Sequence, residues 1–219
     1  MDDLIRLLPQ LGQATVETLY IVGLSLLFGG IGGLLVGLGL YTTRPGSIYS
    51  NRPVFAVLNV VVNVFRPIPF IIFLAAAQPL ARAVTGTGIG NTAIIFTLSL
   101  AATFGISRVV EQNLLTVQPG VIEAARSMGA SRLRIVLTLV IPEALGPLTL
   151  GYTFVLIAIV DMSAVAGYVG GGGLGTFAIQ FGYRQFNPVV TWAAVIVIVV
   201  IVQAVQFIGN GLARKALRR

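Results

Sequence analysis

Residues 121–144 read VIEAARSMGASRLRIVLTLVIPEA, a charged stretch in a chain that is otherwise rich in apolar residues. The stretch places Glu123 and three arginines around pairs of small residues, and an apolar run then continues to Pro142. Charged side chains are costly in the hydrocarbon of a bilayer. The stretch therefore predicts a segment that faces water between two membrane-embedded parts of the chain.

The composition of the whole chain indicates an integral membrane protein. Hydrophobic residues make up 56% of the 219 residues, charged residues make up 10%, and the mean hydropathy is +0.95. A soluble domain would have about a quarter of its residues charged. Cysteine and histidine are both absent, which argues against thiol catalysis and most transition-metal sites. We therefore predict no catalytic residue and no metal site.

A membrane-spanning helix needs about 20 mostly apolar residues. Five windows meet this requirement, at about 15–41, 54–79, 91–110, 148–169 and 189–210. The third window is the weakest, because Thr and Ser residues interrupt it. We predict an all-α membrane protein whose residues 1–219 form a single transmembrane domain of five helices. A water-exposed segment at about 111–147 joins the third helix to the fourth.

The distribution of basic residues predicts the orientation. With five spans the termini lie on opposite sides, and an external amino end places ten basic residues inside: Arg44, Arg52, Arg108, Arg126, Arg132, Arg134, Arg214, Lys215, Arg218 and Arg219. Three are then outside: Arg6, Arg82 and Arg184. Because cytoplasmic loops are enriched in Arg and Lys, we predict an external amino end and a cytoplasmic carboxyl end. The same distribution accounts for the net charge of +7 without a nucleic-acid partner.

The second predicted span contains an intramembrane arginine. Asn59, Asn63 and Arg66 are spaced so that they share one helical face. Pro67 and Pro69 follow at once, so we expect the helix to bend or loosen near the middle of the membrane. An arginine at this depth usually faces a charged partner or a water-filled path.

Asp161, in the fourth predicted span, lies at a depth comparable to that of Arg66. We hypothesise that the two residues pair, within one subunit or across a dimer; the alternative is that backbone or water satisfies each one separately. The polar faces also supply the candidates for a translocation pathway, which are Asn59, Asn63, Arg66, Ser99, Asp161, Met162 and Ser163. The alternative for these residues is a role in helix packing.

Glycines form two kinds of pattern. Gly29, Gly33 and Gly37 recur every four residues, and such a ridge allows close approach of another helix; packing within the chain is favoured over a dimer face. The glycine-rich segments 85–90 and 169–175 do not have the Lys-Ser/Thr ending of a phosphate-binding loop. We interpret both segments as turns and helix ends, and we predict that this chain does not hydrolyse ATP.

The charged stretch itself predicts a short helix. Pro119 and Gly120 interrupt the chain, a helix can start around Val121, and Glu123 in its first turn suits the helix dipole. Ala124 and Ala125 leave a surface of low relief, and Gly129 allows a tight turn. A short helix of this kind suits docking into a groove of another protein. The alternative is an amphipathic helix that lies on the bilayer surface.

The spacing of Glu-Ala-Ala at 123–125, Gly129 and the apolar run to Ile141-Pro142 resembles the cytoplasmic "EAA" motif of ABC importer permeases. Leu139 and Ile141 stand where that motif usually has Ile and Leu, which is a mild departure. Segments along most of the chain resemble the methionine-type members: ATVETLYIV, VNVFRPIPFII, TGTGIGNTA, DMSAVAGYVGGGGLG and FGYRQFN.

The resemblance implies a permease that works as a homodimer in the bacterial cytoplasmic membrane, surrounded by lipid. It implies two partner ATPase subunits that bind ATP and Mg²⁺, an external substrate-binding lipoprotein that delivers methionine, and no cofactor in this chain. Residues 121–130 would form the coupling helix, with contacts to the ATPase from Glu123, Ala124, Ala125, Arg126, Met128 and Gly129. The alternatives are another small amino acid or derivative as substrate, an ATP-independent channel or secondary transporter, or a membrane assembly subunit.

Overall fold

The computed structural model describes residues 2–167 and 170–217. The described residues form helices and no strand: α1 Asp2–Thr43, α2 Arg52–Phe65, α3 Phe70–Thr85, α4 Asn91–Leu114, α5 Pro119–Ser127, α6 Arg132–Ile135, α7 Ile141–Glu143, α8 Leu145–Ala166, α9 Leu174–Phe177 and α10 Pro188–Leu217. Two π-helical segments, Val136–Val140 and Ala178–Tyr183, follow α6 and α9. The end of the predicted fourth span (168–169) and the terminal Arg218 and Arg219 lie outside the described residues.

Four of the helices, α1, α4, α8 and α10, are long and apolar enough to cross a membrane. They contain the first, third and fifth predicted windows and residues 148–166 of the fourth, so an all-helical membrane fold is confirmed. With 42 residues, α1 is about 63 Å long at 1.5 Å per residue. This length is about twice the thickness of the hydrocarbon core. The helix is this long because it begins at Asp2, well before the predicted window at 15–41.

The second predicted window, 54–79, contains the bend that its prolines predict, and a count of five spans requires the two helices on either side of the bend to form one crossing. It is divided between α2 and α3, whose axes differ in direction by 115°. The break falls at residues 66–69, where Pro67 has no N–H group to donate and Pro69 occupies the position before α3. The prolines predict a bend at this place, but the observed bend is far sharper than a kink within a continuous span.

The glycine ridge of α1 packs against α4, as predicted. An added Cβ would lie 2.6 Å from the Ala102 Cβ at Gly29 and 2.5 Å from the Ile106 Cβ at Gly33. At Gly37 it would lie 2.6 Å from the Ser107 carbonyl oxygen. Only glycine fits at such separations. Contacts advance in the same direction along both helices, so α1 and α4 are parallel.

Helix α8 runs opposite to α1. The Tyr152 hydroxyl donates to the Gly30 carbonyl at 2.8 Å, and the Leu174 N–H, beyond the other end of α8, donates to Thr18 Oγ1 at 2.8 Å. Because α1 and α4 are parallel, α2 and α3 together return the chain from one end of the bundle to the other. Residues 41–52, 111–146 and 210–217 form one end, called the α5 end. Residues 86–91 and 170–175 form the other, called the glycine end.

Candidate functional site

At the α5 end, the charged stretch forms a short exposed helix. Helix α5 begins at Pro119, two residues before the predicted start, since proline fits the first helical turn where its missing N–H is not needed. The turn after α5 is made by Gly129, whose φ of +80° favours glycine. Met128, beside it, is 81% exposed.

The two alanines of α5 face different surroundings. Ala125 is buried in this chain's own core together with Leu114 and Val117, whereas Ala124 is exposed along with Glu123 and Arg126. This differs from the expectation that both alanines form one external face. The available surface of α5 in this chain therefore combines Glu123, Ala124 and Arg126, while Ala125 anchors the helix.

A π-helical segment connects the α5 region back to the bundle. In Val136–Val140 the hydrogen bonds shift to the i→i+5 pattern, and the N–H of Ile141 donates to the Val136 carbonyl. Pro142 follows directly and provides no N–H. A π-turn next to a proline lets the helical path continue, so the apolar run passes Pro142 instead of ending there.

A cavity of about 250 Å³ separates α5 from the loop after α1. Arg44, Glu123 and Arg126 provide its charged groups. The remaining lining residues are Tyr41, Pro45, Gly46, Ser47, Ile48, Leu115, Val117, Pro119 and Ile122. The cavity places residues from the end of α1, the loop after α1, the turn after α4 and α5 around one volume at the α5 end.

An ionic cluster centred on a buried carboxylate lies beside this cavity. Glu111 of α4 is 3% exposed and pairs with Arg108 one turn earlier, while Arg44 Nη1 lies 3.9 Å from Glu111 Oε1. The second guanidinium nitrogen of Arg108 donates to Asn59 Oδ1 and, at 2.7 Å, to Asn63 Oδ1. Glu111 is not among the functional candidates that the sequence patterns predict. The i, i+3 spacing of Arg and Glu at the end of a span is the signal that could have found it.

The two asparagines are thus engaged in helix packing. Asn63 Nδ2 also donates to Asn59 Oδ1 at 3.3 Å, so both side chains face α4 through their Arg108 contacts. In this chain the observed hydrogen bonds favour the packing role for Asn59 and Asn63 over an open pathway.

Near mid-bundle, a second cavity of about 230 Å³ opens beside the bend between α2 and α3. Its charged lining residue is Arg66, which is exposed and follows α2 directly, and Met162 of α8 also lines it. The rest of the lining is apolar and comes from α2, α3, the bend, α4 and α8: Phe65, Ile68, Phe70, Phe73, Ala101, Ala102, Gly105, Val109, Phe154, Val155, Ala158 and Ile159.

Asp161 is exposed on α8, next to Met162. The salt bridges within the described chain are those of Glu111 with Arg44 and Arg108, and Arg66 and Asp161 do not pair. The version of the hypothesis within one subunit is therefore wrong. Pairing across a dimer stays a prediction.

Ser99 and Ser163, two of the predicted pathway residues, each form a hydrogen bond within their own helix. Ser99 Oγ donates to the Ile95 carbonyl at 2.6 Å, and Ser99 borders the close approach of α1 at Gly29. Ser163 is 6% exposed, and its hydroxyl donates to the Val160 carbonyl at 2.7 Å. Both hydroxyls are satisfied within their own helices, which favours packing for these two candidates.

At the glycine end, α1 and α4 hold the segment that follows α8. The Gly172 N–H donates to Asn91 Oδ1 at 2.8 Å, and the Gly173 N–H donates to Glu17 Oε2 at 2.9 Å. Gly170 and Gly173 have positive φ values. The interpretation of the glycine-rich segments as turns and helix ends is confirmed for their described residues. The residues that hold this segment, Glu17, Thr18 and Asn91, are not among the candidates that the sequence patterns predict.

These features define a class of protein: a multi-span helical membrane protein with a short exposed helix at one end and a sharply bent helix pair beside a cavity. Within residues 2–167 and 170–217, no group of three acidic, cysteine or histidine side chains could hold a metal ion. The sequence profile of the family described as "Binding-protein-dependent transport system inner membrane component" matches residues 29–218. The chain belongs to this family, and it is a multi-pass inner-membrane permease component.

Individual relatives match along nearly the whole chain. The "Probable D-methionine transport system permease protein MetI" of Vibrio cholerae is 38% identical over 206 residues, which cover 94% of this chain and 92% of that protein. The "Methionine import system permease protein MetP" of Bacillus subtilis is 40% identical over 203 residues, which cover 93% of this chain and 91% of that protein.

Solved structures agree with the fold. The MetNI methionine ABC transporter in an inward-facing conformation contains a chain that superposes with a TM-score of 0.93 at 40% identity, with 96% of this chain and 98% of that chain covered. A chain of an amino acid ABC transporter crystallised with histidines superposes with a TM-score of 0.79 at 21% identity, covering 97% of this chain and 96% of that one. The second likeness concerns the fold alone.

Proposed function

We propose that this chain is the transmembrane permease subunit of an ATP-driven ABC importer that carries methionine, as the L-isomer, the D-isomer or both. The observation that carries the proposal is the near-complete match to the MetNI permease chain at 40% identity. It is supported by relatives named for methionine transport in both Vibrio cholerae and Bacillus subtilis.

The chain crosses the membrane five times in this proposal, with α2 and α3 counted as one broken crossing. The parallel packing of α1 and α4 supports this count, because the chain must return across the bundle between them. The α5 end is cytoplasmic and the amino end external, which agrees with the concentration of Arg and Lys at the α5 end. A single transmembrane domain then extends over the whole chain.

Helix α5 is the coupling helix that docks on a partner ATPase, where ATP and Mg²⁺ bind. Glu123, Ala124 and Arg126 are exposed and provide the contact surface, with Met128 next to the turn at Gly129. Ala125 supports the helix from behind. Two permease copies and two ATPase subunits form the membrane complex, and an external binding protein delivers the amino acid.

The translocation pathway runs along the face that holds the cavity lined by Arg66 and Met162, and Asp161 is exposed on α8 next to Met162. Two exposed charges of opposite sign inside the bilayer are costly unless a partner or water satisfies them. A second copy of the chain supplies such surroundings if this face lies at the two-fold interface.

Uptake by the assembled transporter in vesicles tests the proposal. The permease is reconstituted with its ATPase and binding protein, and uptake of labelled L-methionine, D-methionine and other small amino acids is measured with and without ATP. We expect ATP-dependent methionine uptake. Uptake that persists without ATP would favour a channel or secondary transporter, and uptake of another amino acid alone would overturn the substrate.

A combined Glu123→Arg and Gly129→Trp variant tests the role of α5. The first change reverses a charge on the proposed contact surface, and the second forces a bulky residue into a left-handed turn. We expect uptake and substrate-stimulated ATP hydrolysis to be lost. Glu143→Arg is the matched control, because it reverses an exposed charge outside α5. Full uptake by the combined variant would contradict the coupling role.

A further inference from the structure

Five polar side chains from α2, α4 and the loop after α1 meet on the side of the bundle toward the α5 end, and we call them the α4 charge network: Arg44, Asn59, Asn63, Arg108 and Glu111. Its centre is the guanidinium of Arg108, which bonds in two directions. One nitrogen donates to Glu111 on its own helix, and the other donates to both asparagines of α2. The network therefore joins the end of α4 to a helix that lies 45–49 residues earlier in the chain.

Because Glu111 is buried and Arg108 is largely buried, the geometry of the network is tightly constrained. The side chains of Glu111 and Arg108 are 4% and 14% exposed, and a buried ion pair tolerates the loss of a partner poorly. A planar guanidinium also fixes the directions of its donors. A displacement of Arg108 therefore displaces the acceptors on α2 or breaks their hydrogen bonds.

Few residues of helix α2 are buried in the bundle. Val62 is its only buried residue among the 14 residues of the helix. Phe65, at its end, stacks on Phe104 of α4 with ring centroids 4.9 Å apart. Against α4, the helix is therefore held by the charge network and one stacked aromatic pair, while Leu58 packs beside Gly39 of α1 and Phe65 also meets Phe73 of α3 edge-on.

The other side of the network contacts the α5 region. Arg44 lies 3.9 Å from Glu111 and also lines the cavity that contains Glu123 and Arg126. The end of α4 shares a buried cluster with α5, through Leu114 and Ala125. A rigid movement of α5 therefore reaches Glu111 through packed neighbours on two sides.

We propose that Arg108 and Glu111 are positioning residues that transmit movement of α5 to α2, and so to the Arg66 bend and its cavity. This inference rests on the proposed function, in which an ATPase moves α5. Loss of the hydrogen bonds between Arg108 and α2 then separates ATP hydrolysis from uptake. A residue that only stabilised the fold would lower both activities together.

The test uses Asn59→Leu with Asn63→Leu, which removes both acceptors on α2 and leaves the pair of Arg108 and Glu111 in place. The matched control is Gln206→Leu with Asn210→Leu. These residues have the same i, i+4 spacing and similar exposure on α10, and their side chains have no hydrogen bond with the described residues. Each variant is reconstituted with the ATPase and binding protein, and substrate uptake and ATP hydrolysis are measured in the same vesicles.

We call the combined Asn59→Leu and Asn63→Leu protein the α2 variant, and we expect its ATP hydrolysis to stay within about twofold of the unsubstituted protein. Its uptake per ATP is expected to fall roughly tenfold, within the usual range of coupling between sites. The control keeps both values. Asn63→Asp retains an acceptor oxygen and restores most of the ratio when combined with native Asn59. An unchanged ratio in the α2 variant overturns the inference, as does a proportional loss of both activities.

A distance measurement gives a second test that does not depend on uptake. The chain has no cysteine, so Val64→Cys introduces one spin-label site per subunit near the end of α2, at a residue that is 56% exposed. We expect the distance between labels in the two subunits to change when a non-hydrolysable ATP analogue binds, and not to change in the α2 variant. If both respond equally, the network does not transmit the movement.

The two proposals fail separately. If the unsubstituted protein shows no ATP-driven uptake with its partners, the proposed function is wrong. If it transports normally and the α2 variant keeps the uptake per ATP of the control, the proposed function stands and the role of the charge network is wrong.

Discussion

The contact of α1 with α4 and the contact of α2 with α4 are built in opposite ways. Helices α1 and α4 approach through Gly29, Gly33 and Gly37 so closely that no side chain fits between them. Helix α2 meets α4 through the polar Arg108 network and one pair of stacked rings, Phe65 and Phe104. The first contact is continuous backbone packing, and the second consists of a few separate points.

This difference indicates which part of the protein can move. Close packing of glycines against backbone has one good geometry, because interiors at this density do not deform gradually. A contact made of few hydrogen bonds and one stacked pair can be broken and remade locally. We therefore expect α1 and α4 to move as one body, while α2 and the bend change position relative to them.

The largest effect is expected from Gly33→Leu, which places a side chain where an added Cβ already lies 2.5 Å from Ile106. The helices cannot separate without loss of the whole contact, so we expect no monodisperse protein on size-exclusion chromatography. Gly23→Leu is the control on the same helix, since nothing lies within 4 Å of an added Cβ there. Normal elution of Gly33→Leu would show that the contact of α1 with α4 is adjustable.

The second largest effect is expected from Arg108→Met, which leaves the Glu111 carboxylate buried with Arg44 3.9 Å away. Removing one member of a buried pair costs about 3–5 kcal/mol. We expect that decrease in the free energy of unfolding, measured by SDS titration in mixed micelles. Adding Glu111→Leu removes the unpaired charge and recovers most of the loss. An equal loss in the single and double variants would contradict the pairing.

A smaller effect is expected at the glycine end, where α1 holds the segment after α8. Thr18→Val leaves the buried N–H of Leu174 without its acceptor, which costs about 1–3 kcal/mol. Thr15→Val is the control, because the Thr15 hydroxyl donates only to the Leu11 carbonyl of its own helix. The same SDS titration compares the two variants, and equal stabilities would exclude a holding role for Thr18.

The smallest effect concerns the stacked pair beside the bend. A double-mutant cycle of Phe65→Leu and Phe104→Leu isolates the ring contact, whose centroids are 4.9 Å apart at an interplanar angle of 11°. We expect a coupling energy of about 0.5–1.5 kcal/mol in the free energy of unfolding. A value near zero would mean that the polar network alone holds α2 against α4.

Local sequence patterns predict much of this architecture. Hydropathy predicts α1, α4, α8 and α10, because each apolar segment is long enough to satisfy its own backbone hydrogen bonds in lipid. The four-residue spacing of glycines predicts the contact of α1 with a helix, and the Pro119-Gly120 pair and Gly129 predict the position of α5. Each of these features depends on residues that are close together in the chain.

Only the tertiary structure decided the partners of the polar side chains. Arg108 bonds to Asn59, 49 residues away, and Glu17 accepts from Gly173, 156 residues away; the spacing of these residues indicates neither pair. Likewise, the prolines after Arg66 predict a bend, but its 115° angle depends on how α3 packs. Sequence determined where helices form because hydrogen bonding and hydropathy act locally. The contacts among distant residues were decided by packing, which acts on all of the helices at once.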